Sequence, residues 1–281
     1  MHGLTLGALY AMVATGLALM FGVVRLVNFA HGEFFMLGAY AFWFAFGVLG
    51  LPYALAVVLA GLAMAVAGVL YQQTIIRAIL DRSWHVQLIA TLATSIVLTN
   101  LAIIVFGAQA KEVPTRLSST ILQIGELRIA WHRLLVLGAA VVIFAALHWF
   151  VRKTKMGKAM RAMSQNREAC AVVGVDVHRV ARATFALSAL LAGIAAALVT
   201  PLFNIYPDMG ALLTVKAFAA VVVGGFGSVA GAIAASLIIG LSESLAAGYV
   251  AYAYKDAIAF VVMIAVLLWR PQGLFGRHIG I

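Results

Sequence analysis

The chain has 281 residues, 65% of them hydrophobic and 10% charged, with a mean hydropathy of +1.08 and a formal net charge of +10. Soluble domains carry about a quarter charged residues, so a water-soluble fold is excluded and a polytopic, all-α membrane bundle remains. The basic residues collect beside the ends of apolar runs, which points to membrane topology and away from a nucleic-acid partner.

The opening "MHGLTLGALY" has no cationic segment ahead of its apolar run and no small-residue cleavage site. It is therefore expected to begin a first helix and not a cleaved signal peptide. A span needs about 20 apolar residues. Runs at 4–24, 34–50, 53–76, 86–106, 134–151, 183–203, 229–247 and 256–269 predict about eight transmembrane helices. A further run, 212–224, is too short to cross and ends at "GGFGS", which predicts a broken or re-entrant segment containing Gly225 and Gly227. All of 1–281 reads as one membrane domain.

Between the first two runs lies "NFAHGEFFMLGAY", which puts Asn28, His31 and Glu33 next to Gly32 in an apolar setting. Two readings stand. The residues form a tight turn at the membrane edge after Arg25. Alternatively the helix breaks near Gly32, and the freed backbone, the polar side chains and Met36 line a pathway through the membrane. On a continuous helix Asn28 and His31 would share a face.

The region 107–132 is the longest connection on one side, and "STILQIGELRIAW" alternates around Gly125 as a small hairpin would. On the other side, 152–182 holds Arg152, Lys153, Lys155, Lys158, Arg161, Arg167, Arg179 and Arg182, eight of the 19 Lys and Arg. If this loop is cytoplasmic, alternation places Arg25, Arg77, Arg82, Arg270 and Arg277 there too, with the carboxyl end. Lys111, Arg116, Arg128, Arg133, Lys216 and Lys255 then fall outside or at outer helix ends. The loop predicts helical pieces at 156–164 and 167–173, a stop at Gly174 and a new helix from about 178. Its Ala, Met and Val content fits docking in another protein's groove. Cys170, the single cysteine, is expected on the cytoplasmic side and open to thiol reagents.

Twenty-six glycines fit close helix approach in a membrane. The spacing Gly32-x5-Gly38-Ala39 recurs as Gly225-x5-Gly231-Ala232, an echo consistent with an inverted repeat whose interrupted segments mark a transport site. Enzymatic readings fail. Gly225 to Ala230 fits a loose dinucleotide pattern but lies between membrane runs. Ser242 lacks an activating histidine, His278 being the only later one. There is no phosphate-binding loop and no close His/Cys cluster for a metal. A stand-alone solute channel or ion-coupled secondary transporter is the alternative class, and it would have no use for a docking helix.

Glu168-Ala169-Cys170 followed by Gly174 resembles the Glu-Ala-Ala-x-x-x-Gly loop of ABC importer permeases, with cysteine in place of the second alanine. The run "GKAMRAMSQNREACAVVGVDV", the first two helices and the terminal "RPQGLFG" are similar to the branched-chain amino acid permeases, in particular to the smaller of their two permease subunits. The resemblance implies a bacterial inner-membrane importer subunit and no enzyme in its own right. It would pair with a second permease chain, as a heterodimer or homodimer. Two cytoplasmic ATPases would bind ATP and Mg, and an extracytoplasmic binding protein would deliver a branched-chain or related amino acid, urea or a short amide. It also implies that Gly157, Glu168, Ala169, Cys170 and Gly174 form the ATPase-coupling loop.

Overall fold

The computed structural model describes residues 1–115, 120–124, 127–249 and 251–276. Arg116, Gly125, Arg277 and His278, invoked above, lie outside them. The helices are α1 (His2–Val24), α2 (His31–Phe42, continued by a π-helical turn at Trp43–Val48), α3 (Tyr53–Ile79, with π-helical Gln72–Ile76), α4 (Trp84–Phe106), α5 (Trp131–Lys153), α6 (Lys155–Gln165), α7 (Arg167–Val172), α8 (Val177–Val199), α9 (Met209–Gly224), α10 (Val229–Tyr249) and α11 (Lys255–Trp269). Six of these, α1, α3, α4, α5, α8 and α10, are each long and apolar enough to cross a membrane. The eight predicted spans thus become six full-length ones and two composite or short ones, α2 with its π turn and the 15-residue α11. The predicted hairpin is present as β1 (Ile121–Ile124) and β2 (Leu127–Ala130), antiparallel with Ile121 opposite Ala130.

Amide and carbonyl groups in hydrocarbon must be satisfied within their own segment, which is why these apolar runs are helical. Which helix is central follows from apolar coverage. α1 is apolar on every side and 89% of its membrane window is buried, against 17% for α4 and for α5. It is the axis of the bundle, and α4 and α5 are peripheral. Trp84, Trp149 and Trp269 are exposed at the end carrying α6 and α7, and Tyr249, Tyr252 and Tyr254 at the hairpin end, as interfacial aromatics would be. We call these ends the basic face and the hairpin face.

The bundle repeats internally with inverted direction. α1 and α8 are both 23 residues long and run antiparallel, crossing where the Ser188 hydroxyl donates to the Gly16 carbonyl at 2.8 Å. The two most extensive helix pairs are α1 with α10 and α3 with α8, each joining the first helix of one half to the third of the other. The second helix of each half, α2 and α9, follows a matching Leu-x-Asn, Leu26-Val27-Asn28 and Leu202-Phe203-Asn204. The glycine echo that predicted a repeat marks the wrong register, because Gly231 opens α10, the counterpart of α3. The partner of Gly32 is Gly210.

α2 and α9 meet at their first turns. The Gly32 N–H donates to the Thr214 hydroxyl at 2.9 Å, and that hydroxyl donates to the Gly210 carbonyl at 2.9 Å. A Cβ on Gly32 would overlap the Gly210 carbonyl oxygen, and one on Gly210 would stand 2.6 Å from the Gly32 carbonyl. Backbone cannot yield here as a side-chain tip could. Gly32→Ala is therefore expected to lower the amount of folded permease several-fold more than Gly138→Ala, where a Cβ meets nothing within 4 Å. Fluorescence size-exclusion of detergent extracts measures both; equal yields would show that the crossing tolerates a methyl group.

Candidate functional site

The break between α1 and α2 is built from polar side chains shut away from solvent. Arg25 ends α1 in the left-handed conformation, φ 58, the sole non-glycine with positive φ among the described residues. Residues 25–30 then carry the chain back into the bundle. Asn28 Oδ1 accepts from the Ala30 N–H and from the Tyr71 hydroxyl, both at 3.1 Å. His31 opens α2, and its Nε2 faces the Val13 carbonyl at 3.1 Å, halfway along α1. Asn28, His31, Gly32, Glu33 and Met36 are all buried. Their burial, with His31 level with the middle of α1, supports the broken-helix reading over a turn at the membrane edge. The shared helical face is overturned, because α2 starts at His31 and Asn28 precedes it.

Glu33 lies in the first turn of α2, where Oε1 accepts from the Ser95 hydroxyl at 2.8 Å. Its Oε2 borders Gly210 in the first turn of α9. The carboxyl group thus sits beside the first turns of two helices, whose dipoles are positive at that end. Among the described residues it has no ion-pair partner. Ser95 belongs to a hydroxyl stripe on α4, Thr91, Thr94, Ser95 and Thr99, that sequence reading missed. The signal was available: hydroxyls at spacings of three and four inside an otherwise apolar span mark a polar contact face.

Gly225 and Gly227 are not part of this group. They form the α9–α10 turn at the basic face, with φ 97 and 77, separated from Gly32 by the length of α9, about 24 Å. There the carboxyl-terminal "RPQGLFG" acts as a cap: the Leu274 and Phe275 N–H groups donate to the Val223 and Gly224 carbonyls at 2.8 and 3.1 Å. These are the carbonyls that α9 itself leaves unpaired.

The loop of the basic face forms the helices expected of it. Each has a polar N-cap: Thr154 Oγ1 accepts from the Gly157 N–H at 3.0 Å, Asn166 Oδ1 from Ala169 at 2.9 Å, and Asp176 Oδ1 from Arg179 at 2.9 Å. The last of these bonds, with Arg182 nearby, holds the Asp176 carboxyl below the usual carboxylate range. Met160 and Met163 anchor α6, and Gly157 lets it lie against the Phe150 and Val151 carbonyls at the end of α5. Gly174 has φ +83 with open space around it, so its glycine serves the backbone turn and not a tight contact. Glu168, Ala169, Val172 and Val173 face solvent, the two valines 87% and 76% exposed. Cys170 does not. It is 5% exposed and packs inward, so thiol accessibility is corrected from open to closed.

Arg167 pairs with Asp81 at 2.9 Å, tying α7 to the α3–α4 connection. Behind α7 opens a hollow of about 1070 Å³ whose walls include the end of α1, Asp81, Gln87 and the start of α8. Arg167 is thus the charged side chain by which α7 meets the α3–α4 connection.

A third constellation lies toward the hairpin face and was not read from the sequence, where Lys216 counted only as an outer basic residue. Its side chain is 5% exposed, and Nζ donates to the Tyr10 hydroxyl (3.1 Å), Glu243 Oε2 (3.0 Å) and Asp256 Oδ1 (2.7 Å). Tyr10 donates in turn to Glu243 at 2.7 Å. The cluster links α9 to α1, α10 and α11. Lone opposite charges inside two apolar runs, Lys216 and Glu243, were the available signal. Tyr10, Lys216 and Asp256 line a cleft of about 510 Å³ with Leu6, Leu9, Phe35 and Leu213.

Residues 1–267 match the family model described as the branched-chain amino acid transport system / permease component. The chain is 30% identical to the high-affinity branched-chain amino acid transport system permease protein BraD of Pseudomonas aeruginosa, over 98% of this chain and 94% of that one. It is 30% identical to the LivH permease protein of the corresponding Escherichia coli system, with the same coverage. To the LivM permease protein of Escherichia coli it is 26% identical, over 96% of this chain and 68% of that one. No solved structure matches.

Proposed function

Because the chain belongs to the family of branched-chain amino acid transport permease components, we propose that it forms, with a second permease chain, the pathway of a binding-protein-dependent importer for a branched-chain or related small amino acid. Two ATPase subunits bind ATP and Mg and seat on α7 from the cytoplasm, and an extracytoplasmic binding protein delivers the substrate to the hairpin face. The chain lies in the bacterial inner membrane, with its basic face and carboxyl end cytoplasmic. The observation that carries this reading is α7 itself, a capped and anchored helix that turns Glu168, Val172 and Val173 outward beside the Gly174 turn. An apolar tip on a rigid mount is suited to a groove in a partner.

The Asn28, His31, Gly32, Glu33 and Met36 group holds the two half-crossing helices whose first turns meet midway, and borders the pathway through them. Gly157, Glu168, Ala169, Cys170 and Gly174 shape the coupling loop, with Gly157 and Cys170 on its packed side. Gly225 and Gly227 serve the turn beneath α9, which that helix moves with.

The test is uptake of leucine by vesicles holding both permeases, the ATPases and the binding protein. Uptake is expected to need ATP hydrolysis and loaded binding protein together; uptake that persists without ATP would favour a channel. Orientation is read with Val172→Cys in a Cys170→Ser background. With the ATPase subunits absent, a membrane-impermeant maleimide is expected to label it in inverted vesicles and not in intact spheroplasts, and the reverse pattern would turn the topology over.

A further inference from the structure

The cleft on the hairpin face has two chemically distinct parts. Its wall is apolar, from Leu6, Leu9, Phe35, Leu202, Met209 and Leu213. Its mouth carries adjacent opposite charges, Lys255 and Asp256, at the start of α11. Asp256 is 42% exposed on its side chain and lines the cleft, and Lys216 bonds its Oδ1 and not its Oδ2. Lys216 is itself fixed by the Tyr10 hydroxyl and Glu243, so the Asp256 carboxylate is set in place by a buried, fully bonded cation. Lys255 Nζ donates to the Tyr252 hydroxyl at 2.7 Å, and an ammonium has two further N–H groups.

We propose that this cleft is a transient receiving site for an aliphatic zwitterion: the ammonium on Asp256, the carboxylate on Lys255 and the branched side chain against Leu6, Leu9 and Leu213. The inference rests on the importer reading and deepens it by placing the substrate's first contact within this chain. Three features argue for this ligand class. A lone cation or anion would engage only one of the two mouth charges, whereas a zwitterion meets the remaining oxygen of Asp256 and the remaining N–H groups of Lys255 together. A polar side chain against the leucine wall would lose its hydration for nothing in return. The cleft of about 510 Å³ holds a small amino acid with room to leave, as a site of passage requires. Lys216 acts here as a positioning residue for Asp256 and does not touch the ligand.

The experiment uses the complete complex in vesicles with Asn204→Cys at the rim of the cleft, in a Cys170→Ser background. Leucine is expected to slow alkylation of the new thiol, by about tenfold once it exceeds its Kd by the same factor. Isoamylamine and 4-methylpentanoate, each keeping one charge and the same branched tail, are expected to protect far less. Asp256→Asn and Lys255→Gln are each expected to remove the leucine protection while leaving the alkylation rate without ligand unchanged. Alkylation unaffected by leucine in vesicles that still import it would overturn the site and leave the importer intact. Protection without uptake would do the opposite. Equal protection by isoamylamine would overturn the zwitterion assignment.

Discussion

Lys216→Met is expected to be among the most damaging single substitutions in this chain, and its harm is expected to be undone by a second one. Lys216 is the cation of a nearly closed cluster, with the Glu243 side chain 2% exposed. Removing it leaves that carboxylate buried with the Tyr10 hydroxyl alone, a loss of about 3–5 kcal/mol. That is a large share of the stability of a typical domain, so the single variant should show a much lower melting temperature in detergent. Lys216→Met with Glu243→Gln removes both charges, and Asp256 is exposed enough to be hydrated. The double variant should regain most of the lost stability, because a neutral pair carries no uncompensated charge. A double variant as unstable as the single one would show that the lysine acts by packing and not by charge.

Val172→Asp with Val173→Asp is expected to abolish ATP-driven uptake while the permease still folds and inserts. Neither valine supports the fold, since both face outward at the tip of α7. If they fill a pocket in the ATPase, two carboxylates there remove the apolar contact and bury charge, on the order of 2 kcal/mol or more and roughly 30-fold in affinity. Titration of the solubilised permease with the ATPase subunit measures association, and vesicle uptake measures the consequence. Gly174→Val should weaken both more mildly, because a β-branched residue at φ +83 costs on the order of 1–2 kcal/mol locally. Unchanged association in the double aspartate variant would remove α7 from the interface.

Both expectations concern places where local pattern and tertiary arrangement contributed differently. The helices of the basic-face loop were legible, because caps and stops are local. Thr154, Asn166 and Asp176 each bond an N–H three residues ahead, and Gly174 takes a conformation that only the next residues need. The inward packing of Cys170 was not legible, since its six-residue helix is too short to show which face is covered.

The order of residues alone was enough to establish a membrane bundle, the course of its long helices and the loop that carries the positive charge. Those properties are local, because each segment in hydrocarbon must satisfy its own backbone and charges gather where the chain leaves the bilayer. The half-crossing α2 and α9 showed in the sequence only as an interruption and a short run. It took the packed bundle to bring their first turns together at Gly32 and Gly210 and to rest Glu33 between two helix dipoles. The same packing lets Lys216 find Glu243, 27 residues away, and Asp256, 40 away. Such pairings follow from how close two backbones come and at what angle. That is settled by van der Waals fit between whole helix faces, for which no short run of residues carries the signal.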